Sequence, residues 1–243
     1  MGTLIALEAR APDTATAERA VDAGYAAVQC VDRLLHPTRR GSELALLNGS
    51  PPGTRRHLDP WTAFLLRLCR ELCLQSDGIF EPALPGQGSI RDWEPLGSRG
   101  VWLRRRARID LGGIAKGYAI DQAIAAMRRA GAHAGLANAG GDLRVYGATC
   151  WQVMWRNPRG NPHELSLRNL ALAASGDSGE AQPNEHRGYY RRGERARPAP
   201  PRATAVIAPS AALADALTKV QMFAAPARAA ALLARYRARA LRP

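Results

Sequence analysis

Two glycine pairs, Gly112-Gly113 and Gly140-Gly141, bracket a strand–helix–strand pattern between Arg108 and Gly147. Arg108–Leu111 spells a short strand that Gly112 breaks. From Lys116 to Ala130 the apolar residues Ala119, Ile120, Ala123, Ile124 and Met127 recur at helical spacing, and Gly131 stops the helix. Leu136–Ala137 and Leu143–Val145 flank the second pair. Glycine pairs allow positive φ and close backbone approach. A glycine turn that opens a helix also presents free N–H groups and the positive end of the helix dipole. That environment suits a phosphate, and Lys116 in the first turn adds a point charge. The spacing is neither a Walker loop nor a G-x-G-x-x-G fingerprint, so a tight turn beside an exposed lysine satisfies it as well.

Composition sharpens this reading at one point. Of the 34 basic residues only Lys116 and Lys219 are lysines, and they fall in the two most motif-like stretches. Where any positive charge would serve, the chain uses arginine. A retained lysine suggests a site that needs a compact ammonium rather than a planar fork. The net charge of +13 points to anionic partners. It is spread along an Arg- and Ala-rich chain, so it does not single out nucleic acid. No apolar run is long enough to cross a membrane, and Thr3–Ala6 is too short for an export signal. The chain as written is therefore placed in the cytoplasm. Cys69 and Cys73 share a helical face with no His or Asp at zinc spacing, and read as buried thiols.

In chain order, Thr3–Glu8 predicts a strand and Thr16–Leu35 a helix. Ser42 caps a short helix through Leu47. Asp59 and Pro60 open a helix running to about Gln75. Ser76–Pro82 is a compact polar turn, and Gly86–Arg99 is irregular. Val101–Leu103 and Ala107–Leu111 predict a hairpin. Trp151–Trp155, Leu165–Leu167, Leu170–Ala174 and Ala203–Ala208 predict strands, with a tight turn at Ser175-Gly176-Asp177. Gly188–Arg202, with five arginines and three prolines, reads as a mobile loop. Ala211–Gln221 and Arg228–Arg239 predict helices.

Six blocks then fall in one order. Asp110-Leu-Gly-Gly-Ile-Ala-Lys-Gly-Tyr-Ala-Ile-Asp121 followed by Asn138-Ala-Gly-Gly-Asp142 resembles the ApbE family, the FAD:protein FMN transferases. Met1-Gly-Thr3, Gly41-Ser-Glu-Leu44 with Asn48, Ser76-Asp-Gly-Ile-Phe-Glu-Pro82, Ala174-Ser-Gly-Asp177 and Ala214-Asp-Ala-Leu-Thr-Lys219 are similar to further stretches of that family. The resemblance covers essentially the whole chain, so residues 1–243 are expected to form one domain, with 187–202 as a loop within it. It implies an α+β fold of antiparallel sheets with packed helices in two related halves, of the T-fold kind. It also implies a magnesium-dependent enzyme that splits FAD, links FMN to a Thr or Ser of an acceptor flavoprotein, and releases AMP. By the family's pattern, Asp215, Lys219 and Lys116 carry the chemistry. Gly113, Asp215 and Thr218 form the metal set. Met1, Thr38, Asn48, Ile79, Phe80, Glu81, Lys116, Asn138, Gly140, Gly141 and Asp142 lie along FAD.

The sequence departs from the pattern in three places. Lys219 stands where the family usually has a threonine metal ligand, and Thr218 points about 100° around the helix. A lysine there supplements or replaces the metal charge. The family's His-x-x-Asp-Pro segment is missing, with Arg187–Pro201 in its place. Glu81 replaces an aspartate. These departures keep two other functions open: an FAD-binding protein or FAD pyrophosphatase without transfer, and a non-enzymatic binder of anions or nucleic acid. The family is commonly exported, so a longer chain would be periplasmic or membrane-anchored. The sequence sets no oligomeric state.

Overall fold

A six-stranded sheet, antiparallel throughout, forms the frame on which the site is built. Its order is β1 (Ile5–Arg10), β5 (Ala134–Ala139), β6 (Asp142–Tyr146), β9 (Ala171–Gly176), β10 (Ala203–Ala208) and β11 (Arg239–Leu241). The computed structural model describes residues 3–157, 161–176 and 203–241. The Arg/Pro-rich stretch expected as a loop, Asp177 and Met1 lie outside them.

One face of this sheet is lined by alanines: Ala137, Ala139, Ala171 and Ala173 are fully buried. Small side chains let helices come close. α1 (Thr14–Leu35) and α4 (Ala115–Arg129) pack there through Ala20, Val28, Ile120, Ala123, Ile124 and Met127. Gly24 of α1 lies close at that crossing: a Cβ would stand 2.7 Å from Leu7 Cδ1 and 3.1 Å from Met127 Cγ. The other sheet face is covered by the hairpin of β7 (Trp151–Arg156) and β8 (Pro162–Leu167). The strict alternation of Trp151, Val153 and Trp155 inward with polar or exposed residues outward is what one solvated face requires.

A second core lies to one side. It gathers α2 (Glu43–Asn48), α3 (Pro60–Gln75) and a small sheet of β2 (Arg55–His57), β4 (Gly100–Leu103) and β3 (Trp93–Leu96). α5 (Ala211–Phe223) and α6 (Pro226–Arg235) join it through Ala216, Leu217, Val220 and Leu232. Both expected helix caps are present: Ser42 Oγ accepts from Ala45 N at 3.1 Å, and Asp59 Oδ1 from Trp61 N at 2.8 Å.

Several local expectations fail for identifiable reasons. Ala107–Leu111 is not the second strand of a hairpin. β4 pairs on one side with β3 and on the other with β2, so no edge is left for it. Ile109 makes one isolated bridge to Ala83, and the Asn48 side chain completes the pairing, accepting from Ile109 N and donating to Ile109 O at 2.8 Å each. Gly86–Arg99 is not irregular throughout. A turn of 3-10 helix at Ile90–Asp92, closed by a Ser89/Asp92 capping box, leads into β3. Ser175 and Gly176 continue β9 instead of turning. The last helix stops at Arg235, Arg237 takes φ 52°, and the chain returns as β11.

Candidate active site

The turn between β5 and β6 is the first part of the site. Gly140 (φ 62°) and Gly141 (φ 98°) form a two-residue hairpin with positive φ at both positions, the type I′ pattern. Asn138 Oδ1 accepts from Gly141 N at 2.9 Å and locks it. Gly112 and Gly113 do not use positive φ. Gly112 N donates to Asp110 Oδ1 at 2.8 Å, and Ile114 and Ala115 N–H both go to the Leu111 carbonyl. α4 then starts from Ile114 with no side-chain cap and no acid in its first turn. Among the described residues, no hydrogen bond ends on the Gly113 carbonyl, and the N–H groups of Gly113, Lys116 and Gly117 have no acceptor. This helix end therefore leaves those donors unpaired among the described residues.

The second part is α5, set tightly against the start of α4. A Cβ on Gly117 would collide with the Ala211 carbonyl and stand 2.7 Å from Ala212 N, so only glycine fits this crossing. Asp121 of α4 ties the two helices together. Its carboxylate accepts from Ala211 N and Ala212 N at 2.9 Å each and from Arg144 of β6 at 2.6 Å. Burial pushes its carboxyl up, while Arg144 and the two amides favour the charged form.

On this scaffold both lysines of the chain meet two aspartates. Lys116 Nζ lies 2.5 Å from Asp142 Oδ2, at the end of the Gly140-Gly141 turn. Asp142 Oδ1 accepts from Ala174 N of β9 at 3.2 Å. On α5, Lys219 Nζ donates to Asp215 Oδ1 and, at 3.0 Å, to the Asp215 carbonyl. The pairs form one electrostatic unit. Burial works against the Lys116 ammonium, yet the charges of Asp215 and Asp142 outweigh it and hold its pKa above the ordinary lysine value. Burial, and next the charge of Asp215, push the Asp142 carboxyl above the usual range despite Lys116 and Lys219. Two acids and two ammoniums balance, leaving Lys116, about a third exposed, as the group an anion can reach.

The other expected site residues are distributed differently. Phe80 is core, 2% exposed. Glu81 is turned inward, accepting from Ala83 N at 3.1 Å and Ile90 N at 3.3 Å. Ile79 is half-buried, beside the turn that Ser76 Oγ ties by accepting from Phe80 N at 3.0 Å. Thr38 is exposed, and its neighbour Arg39 lines a cavity of about 360 Å³ with Ile5, Val28, Gln29, Asp32 and Arg33. None of the four paired charges lines that cavity. Asp121 and Arg144 received no role from the sequence. An arginine inside a buried strand, two residues after Asp142, was the available signal.

The metal set requires its own test. Thr218 Oγ1 donates to the Asp215 carbonyl at 2.7 Å and lies 2.7 Å from Ser175 Oγ. One carboxylate oxygen of Asp215 carries the Lys219 ammonium. The other, Oδ2, is buried without a partner among the described residues. A divalent ion at that oxygen would have the Lys219 ammonium beside it. Like charges about 4 Å apart repel by roughly 4 kcal/mol per unit charge at an effective dielectric near 20. No group of three or more His, Cys, Asp or Glu side chains suited to a metal occurs among the described residues. The residues present do not fit magnesium well.

The antiparallel sheet with its packed helices matches the fold of solved ApbE flavin transferases. The apo crystal structure of Pseudomonas stutzeri flavinyl transferase ApbE matches with a TM-score of 0.77, covering 98% of this chain and 89% of that one at 19% identity. The flavin transferase ApbE from Vibrio cholerae matches with a TM-score of 0.76, 99% and 90% coverage and 18% identity. A family model described as the ApbE family matches residues 88–241, and the chain belongs to that family. A Rhodobacter capsulatus protein named FAD:protein FMN transferase is 30% identical over 189 residues, which are 65% of this chain and 36% of that protein.

Proposed function

We propose that the chain transfers FMN from FAD to a Ser or Thr hydroxyl of an acceptor flavoprotein and releases AMP. The observation that carries this reading is the pairing of Lys116, in the open first turn of α4, with Asp142, within the field of Asp215, which pairs with Lys219. Phosphoryl transfer asks a protein mainly for positioning and for neutralisation of charge on the phosphate oxygens. The free amides of Gly113, Lys116 and Gly117 and the Lys116 ammonium suit the diphosphate. The Gly140-Gly141 turn leaves open space beside Gly141, where a bulky ring system can approach. Thr38, Ile79 and Asn138 would line the rest of FAD.

In the reaction, the acceptor oxygen bonds to the FMN phosphorus. The bond from that phosphorus to the bridging oxygen breaks, AMP leaves with that oxygen, and the hydroxyl proton is released to solvent. Lys116 follows the charge from the diphosphate to the departing phosphate. Asp142 orients it, and Ala174 N orients Asp142. The resemblance also brings magnesium, but the engagement of Thr218 and Asp215 runs against it, and no step here passes through a metal.

The test combines the protein, FAD and an acceptor flavoprotein or its Ser/Thr-containing peptide, followed by intact mass. A covalent FMN increment with equimolar AMP supports the reading. AMP and free FMN with an unmodified acceptor would make the protein a pyrophosphatase. No consumption of FAD under any acceptor would remove the enzyme reading.

A further inference from the structure

Where the resemblance implies a threonine metal ligand, this chain carries Lys219, a cation covalently attached to the chain. Lys219 sits one helical turn after Asp215, the spacing that brings i and i+4 side chains together on one face. Its Nζ holds both the carboxylate Oδ1 and the main-chain carbonyl of Asp215, and the residue is only 9% exposed. Burial keeps the ammonium on Asp215, since parting the pair would leave a buried charge without its partner. Thr218, the remaining hydroxyl, is turned to the Asp215 carbonyl and Ser175. The second lysine repeats the device on Asp142. We propose that the Lys219 ammonium stands in for the divalent cation, so that this site binds a diphosphate without metal. The proposal rests on the reading of the site as an FAD site.

A built-in monovalent cation supplies charge but no open coordination positions. Substrate oxygens meet hydrogen-bond donors, not a Lewis acid, and the site's occupancy no longer follows cellular magnesium. The structure thus separates two properties that a metal site couples: neutralisation of the diphosphate and sensitivity to chelators.

The experiment uses the full chain stripped with EDTA and desalted. Mn2+ alone is titrated by electron paramagnetic resonance, and FAD by quenching of its fluorescence, with EDTA or with millimolar Mg2+. The wild type is expected to show no Mn2+ site and an FAD affinity that changes less than about twofold with Mg2+. Lys219→Thr, which restores a hydroxyl where the ammonium was, is expected to gain a Mn2+ site and to bind FAD about tenfold or more tightly with Mg2+ than with EDTA. A wild-type Mn2+ site, or a wild-type FAD affinity that rises about tenfold with Mg2+, would overturn the proposal. Should the wild type bind no FAD at all, the function proposed above fails. The Mn2+ titration still decides this inference: a site in the wild type contradicts it, and a site only in Lys219→Thr supports it. Should Lys219→Thr not fold, the wild-type titration alone decides.

Discussion

Lys116 carries the most exposed positive charge of the paired cluster, held by Asp142 at 2.5 Å and by the field of Asp215. Replacing it by methionine keeps most of its length and removes the charge. A hydrogen bond to a charged group contributes about 1.5–3 kcal/mol, so the FAD dissociation constant of Lys116→Met should rise by roughly ten- to a hundredfold. Equilibrium titration of FAD fluorescence measures this, and an unchanged affinity would place the diphosphate elsewhere. The same residue sets an alkaline limit. Its folded pKa is raised above the unfolded 10.5, so its contribution to stability is complete below that value and is lost as pH rises through the folded one. The melting-temperature difference between wild type and Lys116→Met should stay constant to about pH 10 and shrink beyond it. A difference that already falls between pH 7 and 9 would show that the pair does not hold its proton as described. At this scale the sequence was informative because chemistry and rarity coincided: two lysines among arginines mark two places where a fork would not do. Asp121 was not legible as the third link, because its partners, Arg144 and the amides of Ala211 and Ala212, come from distant parts of the chain.

The junction of α4 and α5 is the element on which the site's geometry depends. Gly117→Ala would drive a methyl group into the Ala211 backbone, which cannot rotate away as a side chain can. Overpacking of this kind costs about 1–3 kcal/mol, which lowers the melting temperature of a chain this size by roughly 2–12 °C. It should weaken FAD binding as well, by parting Lys116 from Asp215. Thermal melts and FAD titration check both, and a stable Gly117→Ala with normal affinity would mean that the crossing has slack. Asp121→Ala leaves Arg144 half-buried beside two uncapped amides. Loss of one partner of a buried pair costs about 3–5 kcal/mol, readable as a shift of the urea midpoint. Helices and their caps were readable from local signals such as Ser42 and Asp59-Pro60. The strands were less so. β11 forms only because the distant β10 offers its edge, and Arg108–Leu111 fails to become a strand because β4, hairpinned to β3 and paired with β2, has none left to offer.

Across the whole molecule, two cores meet at the site. The alanine-lined sheet face carries α1 and α4, the second core carries α2, α3 and α6, and α5 packs into both. The order of the sequence blocks already implied that meeting, since stretches from positions 110, 138 and 215 recur together in one family. What order alone could not convey is that Phe80 and Glu81 are turned into the interior, whereas Lys116, Lys219, Asp142 and Asp215 form one charged cluster. The large positive charge is diffuse, and a chain whose function resides in this site should bind duplex DNA only weakly and with a steep salt dependence. Filter binding at rising salt tests this, and tight binding that survives physiological salt would revive the nucleic-acid reading. The most direct measurement is a crystal structure of the protein grown with FAD. The account predicts the diphosphate at the N-terminus of α4, with Lys116 Nζ on a phosphate oxygen and Lys219 still on Asp215. Ordered FAD whose diphosphate touches neither lysine would contradict it.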